Sequence, residues 1–290
     1  MDDNNFMPEC ELDSFVSRRD FTAAGLGAGG VAALGFSSAE AAARQVTDKD
    51  VTIKTPDGIC DAALVAPATG AWPVVILWPD IVGLRPVKRE MAARLAAEGY
   101  TVLVPNPFYR SKKAPVFGAD FNFQNPEHRK EAFSYRGKIT ADGVAKDTMA
   151  FIAFLDTQPS VNKKAKWGTV GYCMGGPMTM QTAAAAPDRI GAGISFHGGG
   201  LTTPPDNPHL LIPKMKAKYH YGIAVNDDMQ DPKSKEILKA AHEAAKNPAD
   251  IEVYPGAQHG WTVPGSAVYN KEQAERAWAK MLSVYKTSLV

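Results

Sequence analysis

The sequence predicts an α/β fold with a mostly parallel sheet and helices on both faces. Short apolar segments alternate with longer amphipathic segments from residue 50 onward. Val74–Trp78 is a continuous apolar run that ends at Pro79, which is typical of a strand buried on both faces. Alternation of such strands with helices favours a parallel sheet, because each crossover helix returns the chain to the same edge. No linker-like stretch divides residues 44–290, so we interpret them as a single α/β domain.

The predicted elements follow one another along the chain with one interruption. Segments 51–54 and 59–66 are expected to pair as a hairpin around a Pro-Asp-Gly turn. Residues 106–140 are rich in proline, aromatic and basic side chains, and we predict that this insertion forms a lid or substrate wall. Further strands are predicted over 74–78, 101–104, 166–170, 190–196, 219–225 and 251–254, and helices over 86–98, 142–155, 177–186, 234–246 and 271–287.

Composition narrows the classes of protein to which the chain can belong. Of its 290 residues, 45% are hydrophobic and 22% are charged, as in an ordinary globular protein. A net charge of +1 without a basic stripe gives no support for a nucleic-acid partner. The three cysteines, Cys10, Cys60 and Cys173, form no Cys-x-x-Cys pair and no zinc-type spacing, so we expect no metal and no cofactor. A Cys60–Cys173 disulfide stays open, because sequence does not fix its geometry.

The N-terminal segment has the order of an export signal. Ser17-Arg18-Arg19-Asp20-Phe21 precedes a Gly- and Ala-rich apolar stretch, and small residues follow at 39–43. This order resembles a twin-arginine signal, so we predict that residues 1–43 engage the Tat export machinery and that the protein is periplasmic or secreted. The apolar stretch is too short for a stable membrane anchor. The alternative is an N-terminal tail with a chance Arg-Arg pair. Residues 44–290 carry a net charge of +6, which weakly favours an anionic substrate.

The run Gly171-Tyr172-Cys173-Met174-Gly175-Gly176 lies between a predicted strand and a predicted helix. A nucleophile flanked by glycines at such a turn is typical of the nucleophile elbow of α/β-hydrolases. Cys173 would then react as a thiolate, and the Met174 N–H would donate to the oxyanion that forms on the substrate. The alternative is a buried structural cysteine in a Gly-rich turn.

An α/β-hydrolase site runs nucleophile, acid and histidine along the chain. His259 lies in a flexible loop just after a predicted strand, where the catalytic histidine is expected. Asp227 and Asp228 both follow the predicted strand over 219–225. We favour Asp227 as the acid and leave Asp228 as the alternative. A capping role is expected for whichever of the two is not the acid. His242 is expected on the solvent face of its helix. For His197, at a strand end, a structural role is expected.

Together these motifs resemble the dienelactone hydrolase family over roughly residues 50–288. The cysteine elbow is the most specific element, since most α/β-hydrolases carry serine there. The segment from Tyr254 to Gly260 matches the family's histidine loop, and 78–83 matches its loop after the first buried strand. The resemblance implies an α/β-hydrolase fold and a second oxyanion donor at the Ile81 N–H. It also implies hydrolysis of a small lactone or ester, neutral or anionic, through a thioester acyl-enzyme.

The chain departs from the best-known family members at two positions. Asp80 stands where those enzymes have a glutamate that helps to activate the thiol. Of two arginines that bind a substrate carboxylate, Arg110 is retained, while the second falls near Val263 and is lost. Apolar walls of the substrate site are expected from Trp261, Phe108 and Tyr135. The alternative function is a thiol redox or ligand-binding protein on the same scaffold.

Overall fold

The computed structural model describes residues 44–290, and the predicted export segment lies outside the described residues. One eight-stranded sheet runs through the molecule in the order β1-β2-β4-β3-β5-β6-β7-β8. β2 is antiparallel to both β1 and β4, and all other neighbours are parallel. The strands are β1 (Val46–Thr55), β2 (Gly58–Pro67), β3 (Val74–Trp78), β4 (Thr101–Pro105), β5 (Trp167–Tyr172), β6 (Ile190–Phe196), β7 (Lys218–Ala224) and β8 (Ala249–Tyr254).

Helices cover both faces of this sheet, as predicted. On one face, Met91 and Trp278 from α1 and α7 pack against residues such as Leu77. On the other face, Phe151 of α3 and Met178 of α4 pack against residues such as Ile76. The helices are α1 (Pro86–Ala97), α2 (Pro126–Arg136), α3 (Ala141–Leu155), α4 (Gly175–Ala185), α5 (Val225–Gln230), α6 (Ser234–Ala244) and α7 (Lys271–Ser288), with a 3-10 helix at Pro208–Lys214. Among the described residues, no helix is long and apolar enough to cross a membrane.

The structure differs from the sequence-based prediction in a few elements. β1 begins five residues before its predicted start, because its whole length pairs with β2 from Val46 to Thr55. The insertion contains α2, which was not predicted, and α5 replaces the end of a predicted strand. The expectation that His242 is solvated was wrong: it is 4% exposed and accepts or donates hydrogen bonds at 3.0 Å to Tyr221 Oη and the Asn247 carbonyl. It lies one turn after Leu238, on the buried face of α6.

Candidate active site

Cys173 lies at the turn between β5 and α4, at the carboxyl edge of the sheet. Its backbone φ is 53°, in the left-handed region that non-glycine residues seldom adopt. The Cys173 N–H donates to the Phe196 carbonyl at 3.1 Å, and the Cys173 carbonyl accepts from the Gly176 N–H at 3.0 Å. These bonds hold the turn in a strained conformation of the kind found at functional sites.

Close backbone contacts explain the glycines of this turn. A Cβ atom on Gly171 would lie 2.0 Å from the Gly175 carbonyl oxygen. A Cβ atom on Gly175 would lie 2.4 Å from the Trp78 carbonyl oxygen. The loop that follows β3 therefore packs directly on the start of α4, which brings Ile81 and Cys173 into the same buried cluster.

His259 and Asp227 lie beside this turn. His259 Nδ1 is 2.9 Å from each carboxylate oxygen of Asp227, and the His259 N–H donates to Asn226 Oδ1 at 2.9 Å. The His259 side chain also interacts electrostatically with Cys173. Burial works to lower the pKa of His259, but the Cys173 sulfur and the Asp227 carboxylate outweigh it and raise that pKa well above its ordinary value. The structure thus brings the three predicted side chains together.

Asp228 has a different partner. Both of its carboxylate oxygens accept from Lys235 Nζ at 2.7 Å. Of the two acids that the sequence left open, it is Asp227 that meets His259.

Two backbone N–H groups are suited to hold a developing negative charge next to Cys173. Met174 is the N-cap of α4, where helix N–H groups lack partners within the helix. Within residues 44–290, neither the Met174 N–H nor the Ile81 N–H donates to a protein acceptor. Both residues are buried, at 3% and 6% exposure, so water competes little for these donors.

Asp80 lies in the loop that packs on the nucleophile turn, and two cations hold it. Arg85 binds it through two hydrogen bonds of 2.6 and 2.9 Å, and Lys88 Nζ lies 2.9 Å from Oδ2. Oδ1 also accepts from the Val82 N–H at 3.1 Å, which fixes the loop that contains Ile81. Burial works to raise the pKa of Asp80, but Arg85 and Lys88 hold it well below its usual range.

Comparison with known proteins identifies the family. The model of the dienelactone hydrolase family matches residues 60–289. The chain belongs to the dienelactone hydrolase family. A carboxymethylenebutenolidase of a Pseudomonas species is 28% identical over 226 residues, which cover 78% of this chain and 89% of that protein. The predicted family is confirmed, and the chain is a hydrolase of that family.

Solved structures agree on the fold. A dienelactone hydrolase from Anabaena variabilis superposes with a TM-score of 0.60 and 18% identity, covering 85% of this chain and 100% of that one. A dienelactone hydrolase-like promiscuous phosphotriesterase from metagenomic libraries gives a TM-score of 0.69 and 20% identity, covering 84% and 99%. These matches confirm the predicted α/β-hydrolase fold.

Arg110 does not have the partners that the family resemblance implied. Its guanidinium makes hydrogen bonds of 2.8 and 2.9 Å to the two oxygens of Asp147 and a further one of 2.8 Å to Asp57. Asp147 is 3% exposed on α3, and a buried carboxylate needs a compensating cation. Asp57 and Asp147 thus accept from all three nitrogens of the Arg110 guanidinium, and a role of Arg110 toward a substrate carboxylate stays a prediction.

The three predicted wall residues lie in different environments. Trp261 has no exposed surface and packs with its ring centroid 5.1 Å from that of His197, so it supports the histidine loop from behind instead of lining a substrate site. Phe108 is 1% exposed and lies 6.2 Å from the half-buried ring of Tyr135. A Cβ atom on Gly83 would meet the Phe108 ring at 3.3 Å, so the insertion packs on the Ile81 loop.

Two polar groups near the triad, His197 and Lys88, were not among the predicted site residues. His197 Nε2 is 2.8 Å from Thr262 Oγ1, and the His197 ring centroid is 4.9 Å from that of His259. Burial, together with the charge on His259, lowers the pKa of His197 and keeps it neutral. The burial of Lys88 could have been predicted from the sequence. Lys88 lies three residues before Met91, on the face of α1 that the apolar pattern assigns to the core.

One group of side chains has the composition of a metal site. Ligand atoms of His220, Asp250 and Glu252 lie within 4.8 Å of one another. Asp250 also binds Lys280 Nζ at 2.9 Å, and Glu252 forms an ion pair with Arg276. These cations already balance the carboxylates, so we describe the group as an ionic network between β7, β8 and α7.

Proposed function

We propose that this enzyme hydrolyses a lactone or carboxylic ester through Cys173, His259 and Asp227. The proposal rests above all on one arrangement: the elbow cysteine interacts electrostatically with a histidine whose Nδ1 lies 2.9 Å from each oxygen of a carboxylate. That order of nucleophile, base and orienting acid is what acyl transfer needs. The carboxymethylenebutenolidase relative supports the same class of substrate.

The proposed reaction has two acyl-transfer steps. His259 takes the proton of Cys173, and the thiolate attacks the carbonyl carbon of the substrate. The carbonyl oxygen becomes an oxyanion that accepts from the N–H groups of Ile81 and Met174. When the intermediate collapses, the carbon–oxygen bond breaks and the leaving alkoxide receives the proton from His259. Water then gives a proton to His259, attacks the thioester and releases Cys173 as a thiolate.

The substrate is proposed only as a small lactone or ester. Opening a lactone leaves the alcohol on the acyl group, so water must reach the thioester before the ring closes again. Arg110 has no part in the proposal, because Asp57 and Asp147 engage it. The net charge of +6 on residues 44–290 supports an anionic substrate only through long-range attraction.

A substrate panel with detection of the acyl-enzyme tests the proposal. Purified protein is given lactones and activated esters, and mass spectrometry locates an acyl group on Cys173. Turnover should vanish in Cys173→Ala and His259→Ala. Cys60→Ala is the matched control, since Cys60 is buried beside the Asn106 carbonyl and burial raises the pKa of its thiol far above the ordinary range. Unchanged turnover in the first two variants contradicts the proposal; oxidation of Cys173 without turnover supports the redox alternative.

We also propose, from the sequence alone, that the enzyme is exported and acts in the periplasm or outside the cell. The Arg18-Arg19 pair carries this proposal. Replacing both arginines by lysine should leave the protein in the cytoplasmic fraction. Equal export of the two forms contradicts it.

A further inference from the structure

Lys88 is a fully buried lysine in the first turn of α1. Its side chain has no exposed surface, and Nζ lies 2.9 Å from Asp80 Oδ2 and 4.4 Å from the centroid of the Tyr172 ring. Removing an ammonium from water costs free energy, so a buried lysine requires strong compensation or a function. Burial lowers the pKa of Lys88 to about 8, while Asp80 works in the opposite direction. The side chain is therefore charged at neutral pH.

The charges around Lys88 do not cancel. Asp80 supplies one negative charge, and Arg85 and Lys88 supply two positive charges. Asp80 is 7% exposed and Lys88 is not exposed at all, so salt and water screen this cluster weakly. The Asp80–Arg85–Lys88 cluster thus carries a net charge of +1 inside the protein at neutral pH.

This cluster lies next to the nucleophile turn. Tyr172, whose ring faces the ammonium, is the residue before Cys173. The loop from Trp78 to Asp80 packs on Gly175, at the start of the elbow helix. The ammonium acts electrostatically on both Cys173 and His197. The titratable and charged groups around it are Asp80 after β3, Arg85 before α1, Tyr172 and Cys173 at the end of β5, and His197 after β6.

We propose that Lys88 is a positioning residue whose fixed buried charge favours the thiolate form of Cys173, with Asp80 as its counter-ion. The inference rests on the proposed function, in which that thiolate is the nucleophile. A positive charge beside a thiol stabilises the anion without contact with the substrate. Asp80 therefore does not serve as the group that activates the thiol, since its charge is committed to Arg85 and Lys88.

Alkylation of Cys173 by iodoacetamide measures thiolate formation without any ester. The rate is followed against pH in the full chain, with peptide mapping to separate Cys173 from the other cysteines. Lys88→Met removes the charge and leaves Asp80 paired with Arg85, so the fold has a neutral pair in its place. We expect the midpoint of the alkylation profile to rise by about 0.5–1 pH unit. Lys216→Met is the matched control. Lys216 lies just before β7 and pairs with exposed Asp188, so loss of its charge should leave the midpoint unchanged.

Two further variants test the same inference at the other two members of the Asp80–Arg85–Lys88 cluster. Arg85→Met also removes one positive charge and should raise the midpoint; it carries the test if Lys88→Met does not fold. Asp80→Asn removes the negative charge, so the midpoint should stay at or below that of the wild type. Opposite behaviour of cation and anion variants is not expected from simple loss of structure.

The outcomes separate this inference from the proposed function. An unchanged midpoint in Lys88→Met overturns the role of Lys88. If Lys88→Met does not fold, an unchanged midpoint in Arg85→Met overturns it. A raised midpoint in Asp80→Asn also overturns it, because the carboxylate would then be the activating group. If the wild type forms no acyl-enzyme, the proposed function is wrong. The order of the alkylation midpoints among the variants still decides the role of Lys88.

Discussion

Two carboxylates lie near the nucleophile turn, and their partners differ. Asp227 faces the imidazole of His259, a group that gains and loses a proton during the proposed reaction. Asp80 faces the guanidinium of Arg85 and the ammonium of Lys88, which are both charged at neutral pH. Residue type and location at the sheet edge are alike. The partners decide whether a carboxylate orients a histidine that transfers protons or acts as a fixed counter-charge.

Removing the charge of Asp227 should have the largest effect on catalysis. In Asp227→Asn, the amide no longer favours the imidazole tautomer with a proton on Nδ1 and cannot stabilise the imidazolium, so kcat should fall by roughly 10³–10⁴-fold. Ester hydrolysis by the purified variant measures this. Asp228→Asn is the matched control, because Asp228 binds Lys235 and not His259, and its kcat should change less than about threefold. Similar losses in both variants would contradict the assignment of Asp227.

Removing the charge of Asp80 should act mainly on stability. Asp80→Asn leaves two cations with no anion in a buried cluster, and loss of one partner of a buried ion pair costs about 3–5 kcal/mol. Urea unfolding at pH 7 measures the change. Asp188→Asn, in an exposed pair with Lys216, is the control and should unfold at the same urea concentration as the wild type.

The same variant has a predictable pH dependence. Arg85 and Lys88 hold the pKa of Asp80 below its unfolded value of about 3.9, despite the opposing effect of burial. A lowered carboxyl pKa stabilises the fold fully above the unfolded pKa, and this stabilisation is lost as the pH falls toward the folded pKa. The stability gap between wild type and Asp80→Asn should therefore narrow below about pH 4. A gap that widens there would contradict the ion pair.

The loop that contains Asp80 contacts the nucleophile turn at Gly175. A substitution there tests whether the loop and the turn depend on each other. In Gly175→Ala, the new methyl group would overlap the Trp78 carbonyl, and the loop that holds Ile81 must move. We expect a loss of about 1–3 kcal/mol in unfolding free energy and a lower kcat. Gly199→Ala is the control, since nothing lies within 4 Å of its added methyl. Equal behaviour of the two variants would contradict a close contact at Gly175.

The parts predictable from sequence are those set by local pattern. The apolar run of β3 and the glycines around Cys173 have one structural interpretation, and the structure agrees with both. The strand end before Asp227 and the loop of His259 follow from the order of elements in the fold. This is why the residues of the proposed triad could be named before their distances were known.

The parts that sequence did not predict depend on which side chains meet across the fold. The family resemblance assigned Arg110 to a substrate carboxylate, and its partner Asp147, 37 residues away on α3, could not be predicted from local pattern. The partners of Asp80 lie only five and eight residues away. Their role depends on burial of the cluster, and the pattern of charges in the sequence does not predict that burial. His242 was placed in solvent for the same reason. In each case a polar side chain found its partner inside the protein.

Arg110 and Asp147 extend the comparison to a third carboxylate, and here we expect the smallest effect. If a carboxylate held by a permanent cation is structural, Arg110→Met should cost about 1–2 kcal/mol in unfolding free energy, because Asp147 keeps a hydrogen bond from Tyr109 but loses its cation. KM should change less than about twofold for esters with or without a carboxylate group, since charged hydrogen bonds to substrate would be worth far more. Lys113→Met removes the same charge from an exposed position of the insertion and serves as the control. A tenfold rise of KM, confined to carboxylate-bearing esters and to Arg110→Met, would return Arg110 to the substrate site and limit the structural role of such pairs to Asp80.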